Sequence, residues 1–109
     1  MIDFTLLYFM ITAHCLADMC WQPSFIAHNK HRLFVLMFFH ALTVSSVISI
    51  PMYIFGYESF AAGVIFLIST HILIDTWKSQ QPKDDAHFWC LYVDQGAHLL
   101  AMIIIVILQ

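Results

Sequence analysis

Four apolar stretches, Ile2–Met19, Leu33–Phe55, Ser59–Trp77 and Phe88–Leu108, occupy most of this 109-residue chain. Each approaches the ~20 residues that a helix needs to cross ~30 Å of hydrocarbon. A backbone among lipid tails must satisfy its own hydrogen bonds, so such stretches fold as helices. A water-soluble fold fails on composition. Hydrophobic residues make up 61% of the chain and charged ones 10%, against roughly a quarter charged in soluble domains. The surface would carry apolar patches well beyond the few hundred Å² that monomers tolerate. A formal charge of -3 with only four Lys and Arg provides no basic footprint, which excludes nucleic acid as a partner. Cys15, Cys20 and Cys90 lack C-x-x-C spacing and read as small buried thiols.

The breaks between the stretches are short and polar: Trp21 to Arg32, Gly56-Tyr57-Glu58, and Lys78 to Asp85. Pro51 falls near the end of the second stretch, where a kink or early stop is expected. Short links make consecutive helices antiparallel neighbours, so the predicted fold is an all-α membrane protein. It is a single domain over residues 1–109, with four transmembrane helices in an up-down-up-down bundle. The first stretch has no basic leader and no small-residue cleavage site, and reads as a span rather than a signal peptide. Lys30, Arg32, Lys78 and Lys83 all lie on the first and third links. The positive-inside rule makes that side cytoplasmic and puts both termini outside. Trp21, Trp77 and Trp89 flank one side and Tyr53 and Tyr57 the other, as rings at the two membrane interfaces.

Ionisable groups within a span cost at least ~2.5 kcal/mol each for Asp at mid-helix, and this chain carries them on all four. They are His14 and Asp18, His40, His71 and Asp75, and Asp94 and His98. Three of the helices hold an i, i+4 pair, which places both side chains on one face. At 1.5 Å per residue from the nearest basic link, Asp18 and Asp75 lie about 5 Å in. His14, His40, His71 and Asp94 lie about 10–12 Å in, and His98 about 16 Å. All seven therefore fall in the cytoplasmic half, a coincidence that independent structural histidines seldom produce. The run Thr12 to Asp18 matches Ser69 to Asp75 at an offset of 57, and His40 matches His98 at an offset of 58. These offsets predict two helical hairpins, about 1–55 and 56–109, related by an axis along the membrane normal.

Imidazole with carboxylate is the ligand mixture of zinc, manganese and iron, and such side chains projecting into a four-helix core can hold two ions. The expected cofactor is a divalent metal, zinc ahead of manganese or iron, as one or two ions. His14, His40, His71 and His98 are the expected imidazole ligands. Asp18, Asp75 and Asp94 would ligate, bridge or orient a histidine, and Gln22 and Gln95 would be outer donors. The competing structural reading makes these residues His–Asp pairs that glue helices, each worth only ~1 kcal/mol. His28, His31 and His87 belong to the links and read as solvated. Ser45, Ser46 and Ser49 read as bonding their own helix or permitting close approach.

The run His14-Cys15-Leu16-Ala17-Asp18 with Gln22-Pro23 and Lys30, then His40, then His71-Ile72-Leu73-Ile74-Asp75 with Lys78, then Asp94-Gln95 and His98, resembles the small bacterial and phage membrane proteins of the domain-of-unknown-function 3307 family. The resemblance spans about Leu7 to Ile105. It implies a four-span protein of the bacterial inner membrane, with the membrane unit as its functional body, and no settled activity.

A metal near the cytoplasmic face, with Lys30, Arg32 and Lys78 at its rim, suits hydrolysis of a lipid or other phosphoester, with Asp94 or Asp75 as catalytic base. Metal-ion or proton binding and transport is the alternative from another class. The outer half offers no ionisable path, however, so a passage would need a homo-oligomer. A His-ligated haem or an iron oxidase is the third reading. The expected partners are membrane lipids.

Overall fold

The computed structural model describes residues 3–20, 24–30, 32–82 and 84–108, without the side chains of residues 27 and 28. Trp21, Gln22, Pro23, His31, Lys83 and the His28 side chain, all assigned roles from sequence, lie outside the described residues. Every element among those described is helical. The first is α1, Phe4–Cys15, which runs directly into a π-helical turn, Leu16–Cys20. After it come α2 (Ser24–Asn29), α3 (Phe34–Ile54) and α4 (Phe60–Ser79), a 3₁₀ turn (Asp85–His87) and α5 (Trp89–Ile107). α1 packs on α3 and α5, α3 on α4, and α4 on α5.

Three helical segments, Phe34–Ile54, Phe60–Ser79 and Asp85–Ile107, are long and apolar enough to cross a membrane, while Phe4–Cys20 is shorter. The predicted first span is thus trimmed: Asp3 caps α1, its carboxylate accepting from the backbone N–H of Thr5 and Leu6 at 3.1 Å. An Asp at this position satisfies donors that the first helical turn leaves open. The first link is not irregular throughout, since α2 forms within it. Pro51 neither stops nor shortens α3, which continues to Ile54. So close to the helix end, the missing N–H removes one bond from the final turns only.

The polarity of the bundle is that expected of a protein solvated by lipid. Phe34, Ile54, Tyr92 and Leu108 are each at least 72% exposed, while His14, His40, His71, Asp75, Asp94 and His98 are all buried. Around Leu6, Met10, Val44, Ile48, Met52 and Ile105 the interior is apolar. The histidines and aspartates fill the interior elsewhere. Ala13, Ala17, Ala41 and Ala101 are buried beside them, and such small residues let helices approach closely where lipid supplies no hydrophobic drive.

Tyr57 departs from its expected place at an interface. It is 7% exposed, and its hydroxyl donates to the Ile105 carbonyl at 2.8 Å, tying the α3–α4 turn to α5. Gly56 makes this turn possible by adopting φ +72, a conformation that side-chain-bearing residues disfavour. Tyr57→Phe is expected to lower stability by about 1 kcal/mol, read from denaturant unfolding in detergent micelles. Of the thiols, Cys90 alone is buried; Cys15 is half-buried and Cys20 exposed, so the reading of three buried cysteines does not hold.

Candidate metal centre

The structure brings all seven predicted residues to one place. His14 leaves α1, Asp18 the π turn, His40 α3, His71 and Asp75 α4, and Asp94 and His98 α5. π turns interrupt α-helices frequently at functional sites. Here the turn holds Asp18 with Oδ1 3.0 Å from His40 Nε2 on the neighbouring helix and Oδ2 3.7 Å from His14 Nε2.

Asp75 is the hub. Its Oδ2 lies 3.3 Å from His40 Nε2, 3.2 Å from His71 Nε2 and 3.1 Å from Lys30 Nζ. Its Oδ1 lies 3.3 Å from His98 Nε2. Asp94 Oδ1 is 3.5 Å from the same His98 nitrogen. Gln95 donates to Asp94 Oδ2 at 2.8 Å, and its Oε1 lies 3.3 Å from His14 Nε2.

Lys30, Lys78, Gln95 and His98 hydrogen-bond within this network, but not every buried atom in it is satisfied. His40 Nε2, with room for one proton, faces two carboxylate oxygens and also the Lys30 ammonium at 3.3 Å. His71 Nε2 and Asp94 Oδ1 are buried with no hydrogen-bond partner among the described residues. Most buried polar atoms are satisfied, so each of these two is open to a ligand, in separate groups of the cluster. Asp18, His40, His71 and Asp75 offer ligand atoms that all lie within 4.8 Å of one another, as do Asp75, Asp94 and His98, and also His14, His71 and His98.

Of the core His–Asp separations, 3.0 and 3.2 Å fall within hydrogen-bond range and 3.3–3.5 Å at ligand-to-ligand distance. A charge-assisted N–H···O bond closes to about 2.7–2.9 Å, whereas ligands 2.0–2.2 Å from a tetrahedral ion stand roughly 3.3–3.6 Å apart. The core His–Asp pairs span 3.0–3.7 Å. The exposed pair outside the bundle, His87 Nδ1 and Asp84 Oδ1, closes to 2.6 Å, and that hydrogen bond holds the Asp84 carboxyl below the usual carboxylate range.

A cleft of about 540 Å³ leads to the cluster, with Asp18, Asp75 and Asp94 among its walls and Lys30 and Lys78 beside them. Lys78 Nζ lies 3.5 Å from Asp94 Oδ2. Lys30 was placed at the rim from sequence, but its side chain is only 14% exposed and it enters the cluster. Its position depends on α2 turning the link back over the bundle, which spacing along the chain does not encode. Arg32, also placed at the rim, instead donates to Asn29 Oδ1 at 2.7 Å and is exposed. It does not line the cleft.

The imidazoles pack against one another, with ring centroids 4.5 Å apart for His71 and His98 and 4.8 Å for His40 and His71. Ser49 bonds its own helix as expected, through the Ser46 carbonyl, but buried Ser45 has no partner for its hydroxyl among the described residues.

The sequence profile of a family described as "Protein of unknown function (DUF3307)" matches residues 6–109. No curated protein and no solved structure matches the chain.

Proposed function

Because the chain belongs to the DUF3307 family, whose description assigns no activity, we propose from the chemistry of the site that it is an integral membrane metalloprotein that hydrolyses phosphoesters. The observation that carries the metal reading is that His71 Nε2 and Asp94 Oδ1, though 3.2 Å and 3.5 Å from an ion-pair partner, are buried without a hydrogen bond among the described residues, inside groups whose ligand atoms lie within 4.8 Å of one another. The reading takes Phe4–Cys20 as a fourth span, the helices as two antiparallel hairpins, and the basic links as cytoplasmic in the bacterial inner membrane.

Hydrolysis is favoured over transport by the shape of the interior. The cleft reaches the cluster at its carboxylate end, and among the described residues Leu6, Met10, Met52 and Ile105 fill the apolar core. Ionisable groups that line a path mark transport, and this apolar core offers none. Lys30 and Lys78 would hold a phosphoryl anion over the carboxylates. The ion would polarise the phosphoryl oxygen and lower the pKa of water. The oxygen of Asp94 that no ion holds would take a proton from water as the water oxygen bonds to phosphorus. The P–O ester bond then breaks, and the leaving alkoxide oxygen receives that proton.

The test is phosphate release by the detergent-purified full chain, loaded with zinc or manganese. A lipid phosphomonoester in mixed micelles is assayed beside a water-soluble aryl phosphate. Release from either is expected to vanish with EDTA and in His14→Ala and His71→Ala, and the arm that is faster identifies the source of the phosphoryl group. Absence of release in both arms from metal-loaded protein overturns the hydrolase; absence of bound metal overturns the whole reading.

A further inference from the structure

Asp75 presents its two oxygens to two different ligand sets. Oδ2 faces His40 and His71, which together with Asp18 form a four-residue group. Oδ1 faces His98, which with Asp94 forms a three-residue group. The two groups share no other member. A carboxylate whose oxygens serve separate sets is disposed to bridge, and paired catalytic ions stand about 3.5–4 Å apart, a span that one carboxylate can cover.

We infer that the centre is dinuclear, with Asp75 bridging a closed position made by Asp18, His40 and His71 and an open position made by Asp94 and His98. This deepens the metal reading and rests on it. Four protein ligands complete a tetrahedral ion and characterise structural sites; three leave a place for water or substrate. Asp75 and Asp94, two of the three ligands at the open position, line the cleft together with Asp18 of the closed one, so the incomplete coordination sphere lies where a substrate arrives. Asp94 Oδ1, buried and unpartnered among the described residues, is the oxygen this position needs.

Charge agrees with the division. Three carboxylates against the ammonium groups of Lys30 and Lys78 leave the cluster with one excess negative charge when the imidazoles are neutral. One divalent ion overturns that balance, and a second makes the pocket strongly cationic. Burying such a surplus is unfavourable without a counterion, and a phosphoryl anion entering the cleft supplies it. The second position is thus expected to bind its ion more weakly than the first and to tighten when phosphate is present.

Zinc titration of the full chain in detergent, with bound metal counted by mass spectrometry after dialysis, tests the assignment. Wild type is expected to hold two ions, the second released first against a graded chelator and retained when inorganic phosphate is added. Asp94→Asn is expected to hold one, and that remaining ion reports an intact fold. With manganese, the exchange-coupled electron paramagnetic resonance spectrum of a bridged pair is expected in wild type and lost in Asp94→Asn. One ion in both proteins overturns the dinuclear centre and leaves the metal reading standing, whereas none in either overturns both. Two ions in Asp94→Asn, with one lost in His14→Ala, would put the second ion on the His14, His71 and His98 set and overturn the bridge.

Discussion

His71→Leu is expected to change stability by different amounts with and without metal. In the zinc-saturated protein the substitution removes a ligand and should weaken binding by more than about 100-fold, since even outer partners of metal ligands are worth 10–100-fold. A ligand present at 100 times its dissociation constant stabilises the folded state by about 2.7 kcal/mol, so a loss of about 3 kcal/mol is expected under saturating zinc. In EDTA the same change should be neutral within about 1 kcal/mol. His71 Nε2 has no hydrogen-bond partner to lose among the described residues, and an apolar group of similar size avoids the cost of a buried unsatisfied nitrogen. Unfolding in detergent micelles with and without zinc measures both arms. Equal losses in the two conditions would assign His71 to helix gluing and remove it from the ligand set.

Asp75→Ala is expected to be the most damaging single change, and to be so even without metal. The carboxylate holds Lys30 at 3.1 Å and faces three imidazoles. Removing one partner of a buried charged pair costs about 3–5 kcal/mol, because the other charge is stranded. Adding Lys30→Met to Asp75→Ala should recover part of that loss in EDTA, since the ammonium that faced the carboxylate at 3.1 Å is removed with it, while metal binding stays abolished. Denaturant midpoints of the two variants check the first part and metal analysis the second. An Asp75→Ala protein as stable as wild type in EDTA would mean that the carboxylate orders nothing around it.

Hydropathy was a good guide to the helices because lipid imposes an all-or-none requirement on composition over twenty residues. α3, α4 and α5 fall within a few residues of the stretches read from sequence. The polar cluster was legible for the same reason. His71 and Asp75, or Asp94 and His98, stand out in an apolar helix, and the i, i+4 interval places each pair on one face. Legibility fails where the outcome depends on the path of a link or on backbone detail. Lys30 reaches Asp75 because α2 folds over the bundle end, and Tyr57 is buried because Gly56 turns the chain back; in both cases composition suggests an interfacial residue. The hub role of Asp75 was equally hidden. Its sequence context matches that of Asp18, and only the arrangement of helices shows which aspartate lies at the centre.

The π turn at Leu16–Cys20 makes the number of residues in that segment as important as their identity. A π turn accommodates one residue more than an α-helix would over the same length. A deletion of Leu16 alone would therefore let α1 continue as a regular α-helix, at the loss of one apolar side chain, while leaving the residues beyond the turn close to their present face and shortening the His14–Asp18 interval to i, i+3. Such a shortened chain should insert and remain helical, and because Asp18 lies inside the turn rather than beyond it, its carboxylate would be the member of the centre that changes direction relative to His14.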